Sequence, residues 1–206
     1  MSGTVLEMNM MNKYTSELER NTLETQIKLK IDLSETAKIG FYAATGIGFF
    51  DHMLNTMAHH MGGEISGSIK GDTFVDCHHT IEDVGIVIGK ILGQIAQKLA
   101  PVMRYGSFFV PMDESLARAV IDISGRPFLV FKYEPKNPMI GDYDTQMTEE
   151  FFRAVAFNMG ATLHLEVLYG QNDHHMTEAL FKAFAHAAAE ALVPKNGAVL
   201  SAKGVL

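Results

Sequence analysis

The string His78-His79-Thr80-Ile81-Glu82 returns in the second half of the chain as His174-His175-Met176-Thr177-Glu178, each time opening an apolar helical stretch. The match runs beyond the histidines. His52-Met53-Leu54-Asn55 falls on Glu150-Phe151-Phe152-Arg153, and Met61-Gly62 falls on Met159-Gly160. Past the double histidines, Val84, Ile88, Ile91 and Ile95 align with Leu180, Phe184, Ala187 and Ala191, the same helical face. A unit of about half the chain argues for a fused duplication rather than a solenoid of short repeats. The fold must therefore contain the same unit twice.

Periodicity gives the unit its content. Ile27, Leu29, Ile31 and Leu33 alternate with Gln26, Lys28, Lys30 and Asp32, which predicts a half-buried strand. A helix over 50–60, a strand over 65–69 and a helix over 80–99, stopped by Pro101, follow. The second half predicts strands at 116–124 and 128–133, a helix with Thr148 as N-cap, a strand at 162–168 and a helix at 175–193. Each half reads strand, helix, strand, helix, giving an α+β fold of two sheets, each with helices on one face. No Pro/Ser linker divides the chain. It reads as one domain of two repeats, about 20–100 and 101–193, with an irregular loop at 134–146 and a tail from Pro194.

Composition narrows the class. The single cysteine, Cys77, allows no intrachain disulfide and fits a reducing cytoplasm. No apolar run approaches the roughly 20 residues of a membrane span, and the N-terminus lacks a basic-then-apolar leader, so neither membrane nor export is expected. A net charge of -7 argues against a nucleic-acid partner.

The histidines carry the chemistry. On a helix, positions i, i+3 and i+4 share a face, so Glu82 can stand beside His78 and His79, and Glu178 beside His174 and His175. Adjacent helical residues point about 100° apart, so the two histidines of each doublet serve different ions. Eight candidate metal ligands result: His52, His78, His79, Glu82, Glu150, His174, His175 and Glu178. They divide into two sites of four that mix the repeats, possible also across a subunit interface. Imidazole plus carboxylate favours Mn²⁺ or Fe²⁺ over a closed structural zinc. Asp76, Asp83 and Asp173 are placed to orient histidines from behind. Lone histidines are ordinarily satisfied surface or core residues, and His59, His164 and His186 are read so.

Gly46-Ile47-Gly48-Phe49-Phe50-Asp51-His52-Met53-Leu54, Asp76-Cys77-His78-His79-Thr80-Ile81-Glu82-Asp83, Met112-Asp113-Glu114, Ser124-Gly125-Arg126-Pro127, Asn172-Asp173-His174-His175 and Lys203-Gly204-Val205-Leu206 together resemble the imidazoleglycerol-phosphate dehydratase family. The resemblance runs from about Arg20 to Leu206. It implies dehydration of imidazole glycerol phosphate to imidazole acetol phosphate in histidine biosynthesis. It also implies two Mn²⁺ per active site, sites shared between subunits, and a homo-oligomer of 24 subunits. Substrate contacts implied are Glu24, His52, His60, His79, Arg104, Arg126, Ser201 and Lys203, with Glu178 and then Glu24 as candidates for general acid/base work. Three positions depart from the family pattern: Glu150 stands where many members have histidine, Asn55 for a common aspartate, and Ala202 for a common serine. Two other classes remain to be separated from the enzyme: a non-catalytic histidine-rich metal-binding protein and a dinuclear metallohydrolase.

Overall fold

The computed structural model describes residues 12–198 and 200–201. Its first half forms β1 (Thr15–Asn21), β2 (Thr25–Asp32), β3 (Gly40–Tyr42), α1 (Gly48–Met61), β4 (Glu64–Gly71) and α2 (His78–Leu99). The second half forms β5 (Tyr105–Met112), β6 (Ser115–Asp122), β7 (Phe128–Lys132), a small hairpin of β8 (Met139–Ile140) and β9 (Tyr143–Asp144), α3 (Met147–Met159), β10 (Thr162–Tyr169) and α4 (Asp173–Ala191). Strand order is β1-β2-β4-β3 in one sheet and β5-β6-β10-β7 in the other. In each, the third strand of its half runs parallel to its neighbour and the other pairings are antiparallel. The two halves share one topology, and the fold is α+β.

Two corrections to the sequence expectation concern the strands and a cap. Apart from the β8–β9 hairpin that precedes α3 in the second half, each half reads strand, strand, strand, helix, strand, helix, because β1, β3 and β5 escaped the periodicity. Both β1 and β5 are edge strands. The first is mostly polar (Thr-Ser-Glu-Leu-Glu-Arg-Asn) and the second carries Gly106 and Pro111, which an edge tolerates and a central strand does not. The expected cap Thr148 lies inside α3, and its hydroxyl is 2.9 Å from that of buried Tyr143. By contrast, β2 behaves as its alternation requires, with Ile27, Leu29 and Ile31 turned into the core.

Helices cover one face of each sheet: α2 lies on β1 and β2, α4 on β5 and β6. The remaining helix contacts cross between halves, α1 against α4 and α2 against α3. Close approach of α2 to α3 depends on small residues one turn apart. A Cβ on Gly89 would stand 2.6 Å from the Val155 carbonyl oxygen, and one on Gly85 2.8 Å from that of Phe151. The repeat-related helices α1 and α3 end alike, on left-handed Gly62 (φ 75) and Gly160 (φ 71), the conformation that glycine adopts without steric cost. No helix among the described residues is long and apolar enough to cross a membrane.

Candidate metal centre

The α1–α4 contact brings His52 of the first half to His174 and Glu178 of the second. His174 Nε2 and His52 Nε2 lie 3.1 and 3.4 Å from the same Glu178 oxygen, Oε2. Among the described residues these are the one trio of histidine or acidic side chains whose donor atoms all fall within 4.8 Å of one another. Two imidazole nitrogens and a carboxylate oxygen on one point suit a divalent ion of intermediate hardness. The donor set fits a metal.

Local sequence holds this geometry. Asn172 caps α4 by accepting from the His174 and His175 N–H groups, and Asp142 accepts from the Gly48 and Phe49 N–H groups at the start of α1. Asp51 Oδ1 accepts from both the Thr45 N–H and hydroxyl, fixing the turn into α1. The Phe49 ring stands edge-on to His174, with centroids 5.0 Å apart, and forms an apolar wall. Lys182, one turn beyond Glu178, donates to its other oxygen, Oε1, at 2.7 Å. Burial alone would raise the Glu178 carboxyl, but the Lys182 hydrogen bond and charge, with His52 and His174, outweigh it and hold the group below the usual range. The sequence reading missed Lys182 and Phe49. The i,i+4 spacing from Glu178 was the available signal for Lys182.

The other candidates are arranged differently. His78 Nε2 is 3.5 Å from Glu82 Oε2, as the helical spacing requires. Glu150, on the first turn of α3, turns to Arg153 Nε at 3.4 Å and closes no trio with them. Its repeat counterpart His52 has Asn55 in the Arg153 position, and Asn55 Oδ1 instead accepts from Phe41 N–H. His79 and His175 diverge from their doublet partners, with ring centroids 6.1 Å apart in each pair. His79 Nδ1 meets Asp72 Oδ2 at 3.0 Å and its Nε2 faces Glu24 Oε1 at 3.7 Å. His175 repeats the pattern, Nδ1 to Glu114 Oε2 at 2.7 Å and Nε2 to Asp113 Oδ2 at 3.7 Å. The Asp72 hydrogen bond raises the His79 imidazole above its ordinary pKa despite an opposing desolvation, with help from Glu24. The His175 contact and the Asn172 and Gln171 N–H groups hold the Glu114 carboxyl far below its usual range.

The three aspartates expected to orient histidine rings do other work. Asp76 accepts from the His78 backbone N–H. Asp83 ties Arg20 Nε and the Thr25 hydroxyl to α2, and Asp173 accepts from the Lys136 and Asn137 N–H groups, anchoring the loop at 134–146. The ring partners are Asp72, only seven residues before His79 but on the loop ahead of α2, and Glu114, 61 residues from His175; helical spacing reveals neither.

Expected substrate residues are scattered around this frame. His60 Nδ1 lies 2.9 Å from His186 Nε2, whose ring stacks on Phe108, so His186 is no isolated histidine. Arg104 is buried and grips Asp122 through Nε at 2.6 Å and a second nitrogen at 3.1 Å, and also donates to the Leu200 carbonyl. Arg126 is exposed in the β6–β7 turn, where its carbonyl accepts from the Thr162 hydroxyl. Ser201 ends the described chain, and Lys203 and Ala202 lie outside the described residues.

A family profile described as imidazoleglycerol-phosphate dehydratase matches residues 45–188. An imidazoleglycerol-phosphate dehydratase of an Exiguobacterium species is 53% identical over 178 residues, covering 86% of this chain and 90% of that one. One from Clostridium kluyveri is 50% identical over 192 residues, covering 92% and 98%. Among solved structures, the Staphylococcus aureus imidazoleglycerol-phosphate dehydratase superposes with TM-score 0.78 at 38% identity, covering 88% of this chain and 99% of that one. The corresponding Pyrococcus furiosus structure gives TM-score 0.79 at 32% identity, covering 92% and 100%.

Proposed function

The chain belongs to the imidazoleglycerol-phosphate dehydratase family and is a hydro-lyase of histidine biosynthesis, and from that premise we propose that it dehydrates imidazole glycerol phosphate to imidazole acetol phosphate in the cytoplasm with two Mn²⁺ ions per active site. The observation that carries the reading is the convergence of His52, His174 and Glu178 from opposite halves of the duplication onto one point. His78, Glu82 and Glu150 are the repeat-related set for the second ion, with Glu150 leaving Arg153 to join them. His79 and His175 point away from the doublet partners in their own chain. One chain thus gathers three donors where an ion of this class takes about six. That shortfall supports sites completed by a neighbouring subunit, in the 24-subunit assembly that the sequence resemblance implies.

The substrate's difficulty is chemical. The hydrogen removed lies on a carbon bearing a hydroxyl, with no adjacent carbonyl to acidify it. The substrate's imidazole ring must therefore first supply the electron pair that expels the neighbouring hydroxyl and then take up the pair released from the C–H bond, leaving an enol that becomes the ketone. Bound Mn²⁺ supplies Lewis acidity and a template for this reaction. Glu178 has both oxygens engaged, one by Lys182 and one by the histidines, which suits a ligand better than a proton carrier. Glu24, exposed in the β1–β2 turn and facing His79, is the better candidate to take the carbon-bound proton on Oε1. Arg126, Ser201 and Lys203 are the residues that the sequence resemblance assigns to the phosphate, where charge-assisted contacts are strong. Arg104 contributes by holding the tail through the Leu200 carbonyl. A metal store without catalysis, or a dinuclear hydrolase, would not form the ketone. The test is product formation from imidazole glycerol phosphate by protein stripped with chelator, then resupplied with Mn²⁺. Full activity in the stripped protein, or none after resupply, refutes the proposal.

A further inference from the structure

The second histidine of each doublet has the same arrangement. Its Nδ1 is at hydrogen-bond distance from one carboxylate, 3.0 Å for His79 and 2.7 Å for His175. Its Nε2 is 3.7 Å from a second, exposed carboxylate, Glu24 or Asp113, too far for a hydrogen bond. An ionised carboxylate only accepts hydrogen bonds, so the Nδ1 facing it carries the ring hydrogen and the lone pair is left on Nε2. A metal ion needs a bare ring nitrogen. Resting on the reading of these histidines as metal ligands, we propose that Asp72 and Glu114 are positioning residues that lock His79 and His175 in the tautomer whose Nε2 can bind the ion. The two carboxylates come from non-equivalent places. Asp72 lies in the segment between β4 and α2, whereas Glu114 lies in the β5–β6 turn. The halves reach one tautomer by different loops.

Their surroundings differ in a way that makes the lock testable. Glu114 Oε1 accepts from the Gln171 N–H at 3.1 Å, the Asn172 N–H at 2.8 Å and the Ser115 hydroxyl at 2.9 Å. Asp72 Oδ1 is buried and has no hydrogen-bond partner among the described residues. In Glu114→Gln, the three donors claim the amide oxygen, so the amide NH₂ must face His175 Nδ1. A donor there drives the ring hydrogen to Nε2 and blocks the metal. In Asp72→Asn nothing dictates the amide's orientation. Its oxygen can turn to His79 Nδ1 and the tautomer survives.

The full-length protein and its variants are titrated with Mn²⁺, reading free aquo-ion by EPR, with thermal unfolding by circular dichroism alongside. Glu114→Gln and Glu114→Ala should each weaken one class of bound Mn²⁺ about 10–100-fold, the usual scale for a carboxylate behind a metal-bound histidine. Asp72→Ala should do the same, and Asp72→Asn should bind close to wild type. Because the amide oxygen keeps the backbone contacts, Glu114→Gln should unfold near the wild-type midpoint, which separates the lock from a merely structural role. Wild-type binding by Glu114→Gln, or equal losses in Asp72→Asn and Asp72→Ala, overturns the lock. If Glu114→Gln unfolds early, the Asp72 pair decides alone. Undiminished Mn²⁺ binding in both His79→Ala and His175→Ala overturns instead the ligand reading beneath it.

Discussion

Gly89→Ala should destabilise the protein even though alanine is the better helix former. In an exposed helix interior this change gains about 1 kcal/mol from propensity. Here the new Cβ would stand 2.6 Å from the Val155 carbonyl oxygen and 3.0 Å from both Val155 Cα and Asn158 Cβ. The nearest atom belongs to the backbone of α3 and cannot rotate aside, so the two helices must separate by several tenths of an ångström. Overpacking of this kind costs about 1–3 kcal/mol, leaving a net loss of about 0–2 kcal/mol. For a chain of this size that lowers the melting midpoint by up to about 8 °C. Gly93, one turn further along α2, supplies the control. Its Cβ would meet Met159 backbone atoms at 3.2 and 3.4 Å, a contact that a slight shift relieves, so Gly93→Ala should be neutral or stabilising. Gly85→Ala, at 2.8 Å from the Phe151 carbonyl oxygen, should fall between them. Thermal unfolding at equal subunit concentration ranks the three. A Gly89→Ala protein that melts above wild type, or level with Gly93→Ala, refutes the reasoning.

Glu150→Ala should lose Mn²⁺ from one site while Glu150→His retains it, and metal analysis after dialysis decides; full occupancy in the alanine variant means that Glu150 merely sits at the favourable end of its helix. Arg126→Ala should raise KM about 10–100-fold with kcat little changed, since a charge-assisted contact of about 1.5–3 kcal/mol is present in ground and transition states alike; an unchanged KM removes Arg126 from the phosphate site. Burial lowers the His60 and His186 imidazoles below their ordinary pKa, reinforced at His60 by the charges of His186 and Lys182. Groups lowered in this way favour the folded state above pH about 6.5 and lose that contribution as pH falls through their folded values. The melting midpoint should therefore decline below pH 6.5, and His186→Phe, which keeps an aromatic ring on Phe108, should flatten the decline; an unaltered slope shows that other groups set it.

Patterns that repeat within the chain were legible before any coordinates. The doublets, the Met-Gly pairs ending α1 and α3, and the core face of β2 all follow from local periodicity and from comparing one half with the other. What escaped depends on how loops fold back onto the helices. Asp72 and Glu114 reach histidines from separate loops, and Asp142 holds the first turn of α1 from a hairpin that reads as irregular loop. Arg104 is an instructive case: its resemblance-based role is phosphate binding, yet its guanidinium is shared between Asp122 and the Leu200 carbonyl. A charged side chain advertises its chemistry in the sequence but not the neighbour that uses it. Edge strands β1 and β5 were missed for a different reason, since one solvated edge relaxes the composition that periodicity detects.

The crossed helix contacts, α1 with α4 and α2 with α3, have the form of an isologous interface, in which one surface meets its own rotated copy. A half-length chain of this design would leave its two helices with an uncovered side and would close on a second copy as a homodimer. Joining the copies into one polypeptide lifts the requirement that both sides of such an interface be identical. The two halves have used that freedom at the candidate metal ligands, with His52 matched by Glu150, and behind the histidine doublets, with Asp72 beside His79 in one half and Glu114 beside His175 in the other. Fusion thus let a symmetric binding surface become two chemically distinct ones without changing the frame that carries them.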